Sequence, residues 1–467
     1  MSEQNVPRLK PKNRLTLFDV INSTLAQMAP AAGIYYGLPV IFIATGVGSP
    51  LTILLAAIAV AIVGMSLTNF SKTNPSSGSL IKYIGMTFGG VMGTACSLIY
   101  LVASIFLAAS AFIEFGGWTA DSLALYGIHV HWVITTIVLA VMIWGLTVIG
   151  IDRSTKIAAA ALCIEVIVLS GVSILILISP PIPLSMEPFL FTSIKGGLSG
   201  IGLAFPLAVY LFIGFENSVA LSEETENPGR NTTRAVLISI ALIALFMIFV
   251  AYSIIQGFSN NAKDLSNSSN PFMDLASAYL GKFSIIAIIA GFTSIAGMTI
   301  ACLNAFSRVA FNSSREELIS KKFSRISKWQ TPATTLSLIT GLGLILAIIF
   351  GLFSDGWISA FGYLGSLGTI PVLIIYALLN LAVIVDKKEK WAFHRKYPLP
   401  IIGIISIMVP IWAMVQPGQP APASYFPLGI LILCIVSFTY AWFRVKIDPE
   451  LPVRIGTLEI TDQQEKI

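Results

Sequence analysis

The chain alternates between long apolar stretches and short polar connectors twelve times over. The apolar stretches run at about 17–47, 51–70, 88–112, 130–150, 155–179, 197–222, 235–257, 283–309, 333–353, 358–384, 399–416 and 424–443. About 20 apolar residues span a bilayer as a helix. Lipid offers backbone polar groups no partner except each other, so such stretches must be helical. The pattern predicts an all-α integral membrane protein with twelve transmembrane helices. Two stretches are interrupted. The first carries "QMAPAAGIYYG", with Pro30 and Gly33 in its middle, and the sixth carries "VYLFIGFENS", with Gly214 beside Glu216. The breaks stand five stretches apart. Five is odd, so stretches 6–10 begin on the opposite side from stretches 1–5, which predicts an inverted 5+5 repeat with discontinuous helices 1 and 6. The first half covers about 15–180, the second about 197–385, and stretches 11 and 12 (about 398–443) fall outside the repeat. The membrane domain is then about 15–445, between a tail at 1–14 and another at 446–467.

Two weaker patterns accompany these. "TNPSSGS" after the second stretch is echoed by "SNSSNPF" after the seventh, and both are turn-rich. The polar connector "FNSSREELISKKFSRISKWQTP" after the eighth stretch predicts a short amphipathic helix at a membrane surface. The first apolar stretch is far longer than the core of a cleaved signal peptide and reads as a membrane helix.

Charge orients the bundle. Charged residues make up 11% of the chain and hydrophobic residues 55%, against roughly 25% charged in soluble domains. With the N-terminus inside, 25 of the 28 Lys and Arg fall in the tails and the connectors after even-numbered stretches. Arg8, Lys10, Lys12 and Arg14 lie in the first tail, Arg230 and Arg234 follow the sixth stretch, and Arg308 and Arg315 follow the eighth. Lys387, Lys388 and Lys390 follow the tenth, and Arg454 and Lys466 lie in the last tail. Only Lys195, Lys263 and Lys282 are left outside. This bias predicts a multi-pass protein of the cell membrane with both termini cytoplasmic. It also accounts for the net charge of +5, so no nucleic-acid partner is invoked. Cys96, Cys163, Cys302 and Cys434 lack pairing or ligand spacing, and packing is their expected role. His129 and His131 read as an ordinary polar loop. No HExxH, GxSxG or nucleotide-binding loop is found, so neither enzyme chemistry nor a cofactor or metal is expected.

The breaks carry the candidate chemistry. Pro30 lacks an N–H, and Ala31, Ala32 and Gly33 bring little bulk. A turn opened here exposes N–H groups at the start of a half-helix, which favour a carboxylate. Around Phe212, Ile213, Gly214 and Phe215 the other break exposes carbonyls, which favour an ammonium. Together they form a zwitterion receptor made of backbone. Glu216 either caps the short half-helix or meets the substrate amine. Tyr210 is the candidate gate, because its hydroxyl requires a polar partner. Glu165 sits mid-stretch in "AAALCIEVIVLSG". An acid at that depth costs about 2.5–3.5 kcal/mol on insertion scales, which marks it as a functional group able to exchange a proton. The bland alternative is a structural hydrogen bond to a neighbouring helix. Asp19 reads as interfacial.

The residues also carry a resemblance. "APAAG", "NPSSGSLIKYIGMTFG", "GIDRSTKIAAAALCIEV", "FIGFENSVALSEETENPGRNTTRAV" and "LNAFSRVAFNSSREELI" resemble the amino acid–polyamine–organocation transporter superfamily, over about 15–445. The most specific part is Phe212, Gly214, Phe215, Glu216, then Glu223, Glu224, Asn227, Pro228 and Arg230. The resemblance implies the leucine-transporter-like fold and secondary active amino acid transport by alternating access. It places the substrate carboxylate at Ala31, Ala32 and Gly33, the amine on the carbonyls of Phe212 and Ile213, and an aromatic gate at Tyr210. Two departures stand out. Glu165 falls where relatives often carry a Lys, which suggests proton coupling and leaves a cation such as sodium open. Ile99 falls where relatives that take cationic amino acids often place a Glu, which points to a neutral substrate. The alternatives are an amine or polyamine carrier or an exchanger of the same fold, a transporter-like sensor, and a membrane-embedded enzyme. The oligomeric state is not legible.

Overall fold

A computed structural model describes residues 14–268, 270–386, 391–415 and 422–451. The tail cations Arg8, Lys10, Lys12, Arg454 and Lys466, and the connector cations Lys387, Lys388 and Lys390, lie outside the described residues.

Helix occupies each of the twelve apolar stretches. The first stretch splits into α1 (Leu17–Met28) and α2 (Leu38–Thr45), joined through Pro30–Ala32 and a π-helical turn at Gly33–Gly37. Then come α3 (Ser49–Thr73), α4 (Ser79–Phe88), α5 (Gly90–Ala124), α6 (Trp132–Val148) and α7 (Ile151–Ile178). The sixth stretch splits into α8 (Gly197–Tyr210) and α9 (Asn217–Ala220). The chain continues through α10 (Pro228–Gly257), α11 (Pro271–Leu280), α12 (Ile285–Arg315), α13 (Ala333–Phe353), α14 (Trp357–Val385), α15 (Pro398–Val415) and α16 (Phe426–Ile447). Among the described residues, eight helical runs are long and apolar enough to cross a membrane. Leu17–Thr73 counts there as one run, although Gly46–Gly48 turns the chain back inside it.

Local chemistry sets several helix ends. Thr16 and Asp19 form a reciprocal capping box: the Asp19 carboxylate accepts from the Thr16 N–H at 2.9 Å, and the Thr16 hydroxyl accepts from the Asp19 N–H at 3.3 Å. Pro occupies the first helical positions of α10 and α11, where its missing N–H is harmless. The Asn270 side chain accepts from the Met273 N–H at 3.2 Å, so the echoed "SNSSNPF" contains a helix cap. His131 accepts from the Val133 N–H at 3.3 Å and caps α6, an ordinary loop role. The connector after α12 forms a short 3-10 turn at Lys321–Ser324, not the expected amphipathic helix. Its apolar residues Leu318 and Ile319 are buried against the bundle.

Two ends of the bundle matter below. The near end holds Leu15 and the end of α3; the far end holds Gly46–Gly48 and the start of α14. The helix α5 packs against α6, α12, α13 and α14, whereas α10 lies against α1 and α3. The near end is tied shut. Leu15 pairs in a strand-like bridge with the 224–226 segment, its N–H donating to the Glu224 carbonyl at 2.8 Å and its carbonyl accepting from the Glu226 N–H at 2.9 Å. Arg308 and Arg315, read from sequence as connector charges, instead lie on the last turns of α12 and are buried. Arg308 forms a two-pronged ion pair with Glu224, and Arg315 pairs with Glu223, its Nη1 donating at 3.1 Å. Buried ions survive only when paired in this way.

Candidate functional site

The two breaks face each other across the middle of the bundle. At the first, Ala29 takes a left-handed conformation (φ 47°) immediately before Pro30. Proline disfavours the helical region for the residue before it, so the helix cannot run through. The freed N–H groups then divide. The Gly33 N–H donates to the Ala29 carbonyl at 2.9 Å. The Ala32 N–H reaches the Ser294 hydroxyl at 3.4 Å. The Ala31 N–H donates at 3.0 Å to the carboxylate of Glu165, which is 1% exposed and comes from α7. The intramembrane acid therefore sits inside the very turn expected to receive a carboxylate.

At the second break the chain leaves helix after Tyr210. Gly214 adopts φ 110°, a conformation that strains any other residue, and a Cβ there would come within 2.8 Å of Gln27. Among the described residues no hydrogen bond falls on the carbonyls of Leu211, Phe212 and Ile213. The half-helix α9 is fixed to α1 by Asn217, which donates to the Ser23 hydroxyl at 3.0 Å, and by a Thr24–Ser218 hydroxyl contact of 2.8 Å.

A cavity of about 270 Å³ lies between the breaks. Ala32 and Gly33 from the first break and Tyr210 and Ile213 from the second line it. It reaches the exposed residues Val40 and Ile358, so it opens toward the far end. Its volume suits a small solute, being below the roughly 300–1,000 Å³ of drug-sized pockets. Much of the wall is apolar, from Leu107, Met298, Phe306 and Phe361. The other sequence-derived residues are placed behind this wall. Ala31 faces Glu165, and Phe212 is buried in the core at 0% exposure. Gly214 shapes the turn. Glu216 does not line the cavity and makes no side-chain cap to α9: its carboxylate accepts from the Gly214 N–H at 3.1 Å and from the Tyr376 hydroxyl at 2.6 Å.

One acid in the wall escaped the sequence reading. Glu114 of α5 lines the cavity, is 1% exposed, and has a carboxyl oxygen with no hydrogen-bond partner. The absence of an acid at Ile99 therefore does not leave α5 without one at the cavity. Buried polar atoms are nearly always bonded, so each exception asks for a reason. Gln27 adds a second unpartnered side-chain oxygen at the same wall. The wall also includes Cys302, for which only packing was expected. Among the described residues no group of His, Cys, Asp and Glu is arranged to hold a metal.

The chain is similar to known proteins over most of its length. The chain is 26% identical over 434 residues to the methylthioribose transporter of Bacillus subtilis (strain 168), covering 85% of this chain and 87% of that one. It is 22% identical to the branched-chain amino acid permease BcaP of the same organism, with 86% and 89% covered. The BcaP permease of Lactococcus lactis subsp. cremoris is 23% identical, with 83% and 86% covered. These relatives are transporters, not enzymes. The family model for amino acid permeases matches residues 15–441, nearly the whole helical bundle, and the chain belongs to that family.

Proposed function

We propose that this permease carries neutral α-amino acids by proton-coupled alternating access, with the cavity between the breaks as the substrate site. The observation that carries the reading is the pairing of free carbonyls at 211–213 with the turn of N–H groups at 31–33 across one small cavity. The ammonium would bond the Ile213 carbonyl at the cavity wall, and the carboxylate would lie toward Ala32 and Gly33. The apolar wall suits an aliphatic side chain. Tyr210 closes one side of the cavity as its gate.

The position of Glu165 suggests how a proton couples to this. As an anion it occupies the Ala31 N–H, and it repels a second carboxylate at the same turn. A proton on Glu165 removes the repulsion and releases the N–H. Proton and substrate then favour each other's binding, and such coupling is reciprocal. A sodium ion beside Glu165 would have the same effect and is the alternative coupling ion. The twelve helical stretches, read as twelve spans in an inverted 5+5 arrangement, and the Lys and Arg bias of the near end support alternating access with both termini cytoplasmic.

A second reading, a carrier of amines, is favoured by one observation: Glu114 offers a carboxylate to a cationic substrate group. Competition for leucine uptake in proteoliposomes separates the two. We expect valine to compete, and 3-methylbutylamine, which lacks the carboxylate, to compete at least about tenfold more weakly, a difference of about 1.4 kcal/mol. If putrescine outcompetes leucine, the amine reading stands. If methylthioribose outcompetes every amino acid tested, the amino acid reading falls.

A further inference from the structure

A second, larger recess lies at the near end, well away from the substrate cavity. It encloses about 1120 Å³ between the end of α3, the start of α10 and the segment leading into α15. Four cations line it: Lys72, Arg230, Arg234 and Arg395. All four side chains are exposed. Among the described residues no acid lines the recess, and none of the four cations has an ion-pair or side-chain hydrogen-bond partner. The neighbouring charges behave differently. Arg308, Arg315 and Lys321 are each matched with a Glu. An unmatched cluster of four like charges is repulsive unless an anion completes it.

The recess is built to hold its cations together. Gly229 packs its backbone on the Lys72 carbonyl, where a Cβ would come within 2.8 Å. Arg230 and Arg234 are one turn apart on α10 and project on one face. The start of α10 has no side-chain cap, so its first N–H groups add positive potential.

The ligand class follows from what surrounds the charges. Met65 and Leu237 belong to the same recess. Beyond Leu237, α10 continues with the exposed residues Ile238, Leu242 and Leu245, and α3 with the exposed Leu54 and Ile58. These surfaces run from the recess toward the membrane interior. Trp391 lines the recess half-buried, edge-on to Phe70, a side chain suited to the headgroup level. A soluble phosphate would use only the charges; a phospholipid would use the charges and the apolar faces together. We infer that the recess between α3 and α10 binds the headgroup of an anionic phospholipid, with its acyl chains along the exposed faces of those two helices. Basic pockets between membrane helices bind anionic headgroups in this manner.

Native mass spectrometry of the full chain in nanodiscs tests the inference. The discs contain phosphatidylcholine doped with phosphatidylglycerol. We expect phosphatidylglycerol to be retained over phosphatidylcholine by roughly tenfold or more. Both Arg230→Gln/Arg234→Gln and Lys72→Gln/Arg395→Gln should reduce that preference to roughly twofold or less. The two pairs lie on different elements, so a folding defect in one leaves the other informative. Lys263→Gln, at the far end, should leave the preference intact. Equal retention of both lipids by the wild type overturns the inference, as does an unchanged preference in both double variants. Displacement of the lipid by millimolar inorganic phosphate also overturns it, because the recess would then be a site for a soluble anion.

Discussion

The near end of the bundle and the cavity at its middle treat buried polar atoms in opposite ways. At the near end the buried cations meet buried or half-buried carboxylates, Arg308 with Glu224 and Arg315 with Glu223. At the cavity a carboxyl oxygen of Glu114, the side-chain oxygen of Gln27 and the carbonyls of 211–213 are left without a donor. All the unmatched atoms named there are acceptors. Satisfied polar atoms fix structure; an unsatisfied one in a cavity wall asks for a partner that enters the cavity. What the cavity lacks is a donor-rich group, and an ammonium is such a group.

The sharpest way to break this comparison is to remove one partner at the near end. Arg308→Met leaves Glu224 buried and unpaired, which should cost about 3–5 kcal/mol, read as a large drop in the thermal midpoint of the detergent-solubilised protein. Adding Glu224→Leu should restore much of that loss, since the charge left behind accounts for most of the cost. In contrast, Glu114→Leu removes an atom with no partner. Its stability should stay within about 1 kcal/mol of wild type or rise, read as a midpoint that does not fall sharply, while leucine affinity falls. A midpoint collapse in Glu114→Leu would mean that Glu114 is structural and that the comparison fails.

Smaller effects sharpen the picture at the second break. Gly214→Ala forces a side chain into φ 110° and onto Gln27. The strain is about 1–3 kcal/mol, and substrate affinity should fall with it, because the turn presents the free carbonyls. Gly33 is a poorer probe than the sequence suggests. A Cβ there meets Met247 at 2.8 Å and Leu211 at 3.0 Å, so loss of binding in Gly33→Val would report core packing as much as recognition. The smallest change is expected for Glu114→Gln, which keeps shape and removes charge. Leucine affinity should fall about tenfold, the worth of about 1.4 kcal/mol, as measured by equilibrium binding.

Much of this was legible in the sequence, for physical reasons that also explain the gaps. Stretches of apolar residues declare membrane helices directly, and the breaks declared themselves through Pro30, Gly33 and Gly214. Glu165 stood out because apolar residues flank it on both sides. Glu114 did not, because the apolar run ends near 112 and a Glu just beyond it resembles the start of a loop. The helix in fact continues through Trp118 to Ala124, and the residues Phe115, Gly116, Gly117 and Trp118 were the signal that it would. Ile99 was weighed in its place, yet the cavity meets α5 higher up, at Leu107–Glu114. Arg308 and Arg315 were misread for a related reason. Their partners Glu223 and Glu224 lie some 80–90 positions away in sequence, and only tertiary structure brings such pairs together. The hydrogen bond between Glu216 and Tyr376 was hidden in the same way.

The proposed coupling rests on Glu165, the acid bonded to the Ala31 N–H in the first break. The direct measurement is leucine uptake into proteoliposomes with and without an inward proton gradient, for wild type and Glu165→Gln. Gln keeps the shape and, like the protonated acid, carries no charge. We predict that the gradient drives accumulation by the wild type, and that Glu165→Gln exchanges leucine across the membrane but gains nothing from the gradient. Full gradient-driven accumulation by Glu165→Gln would contradict the account.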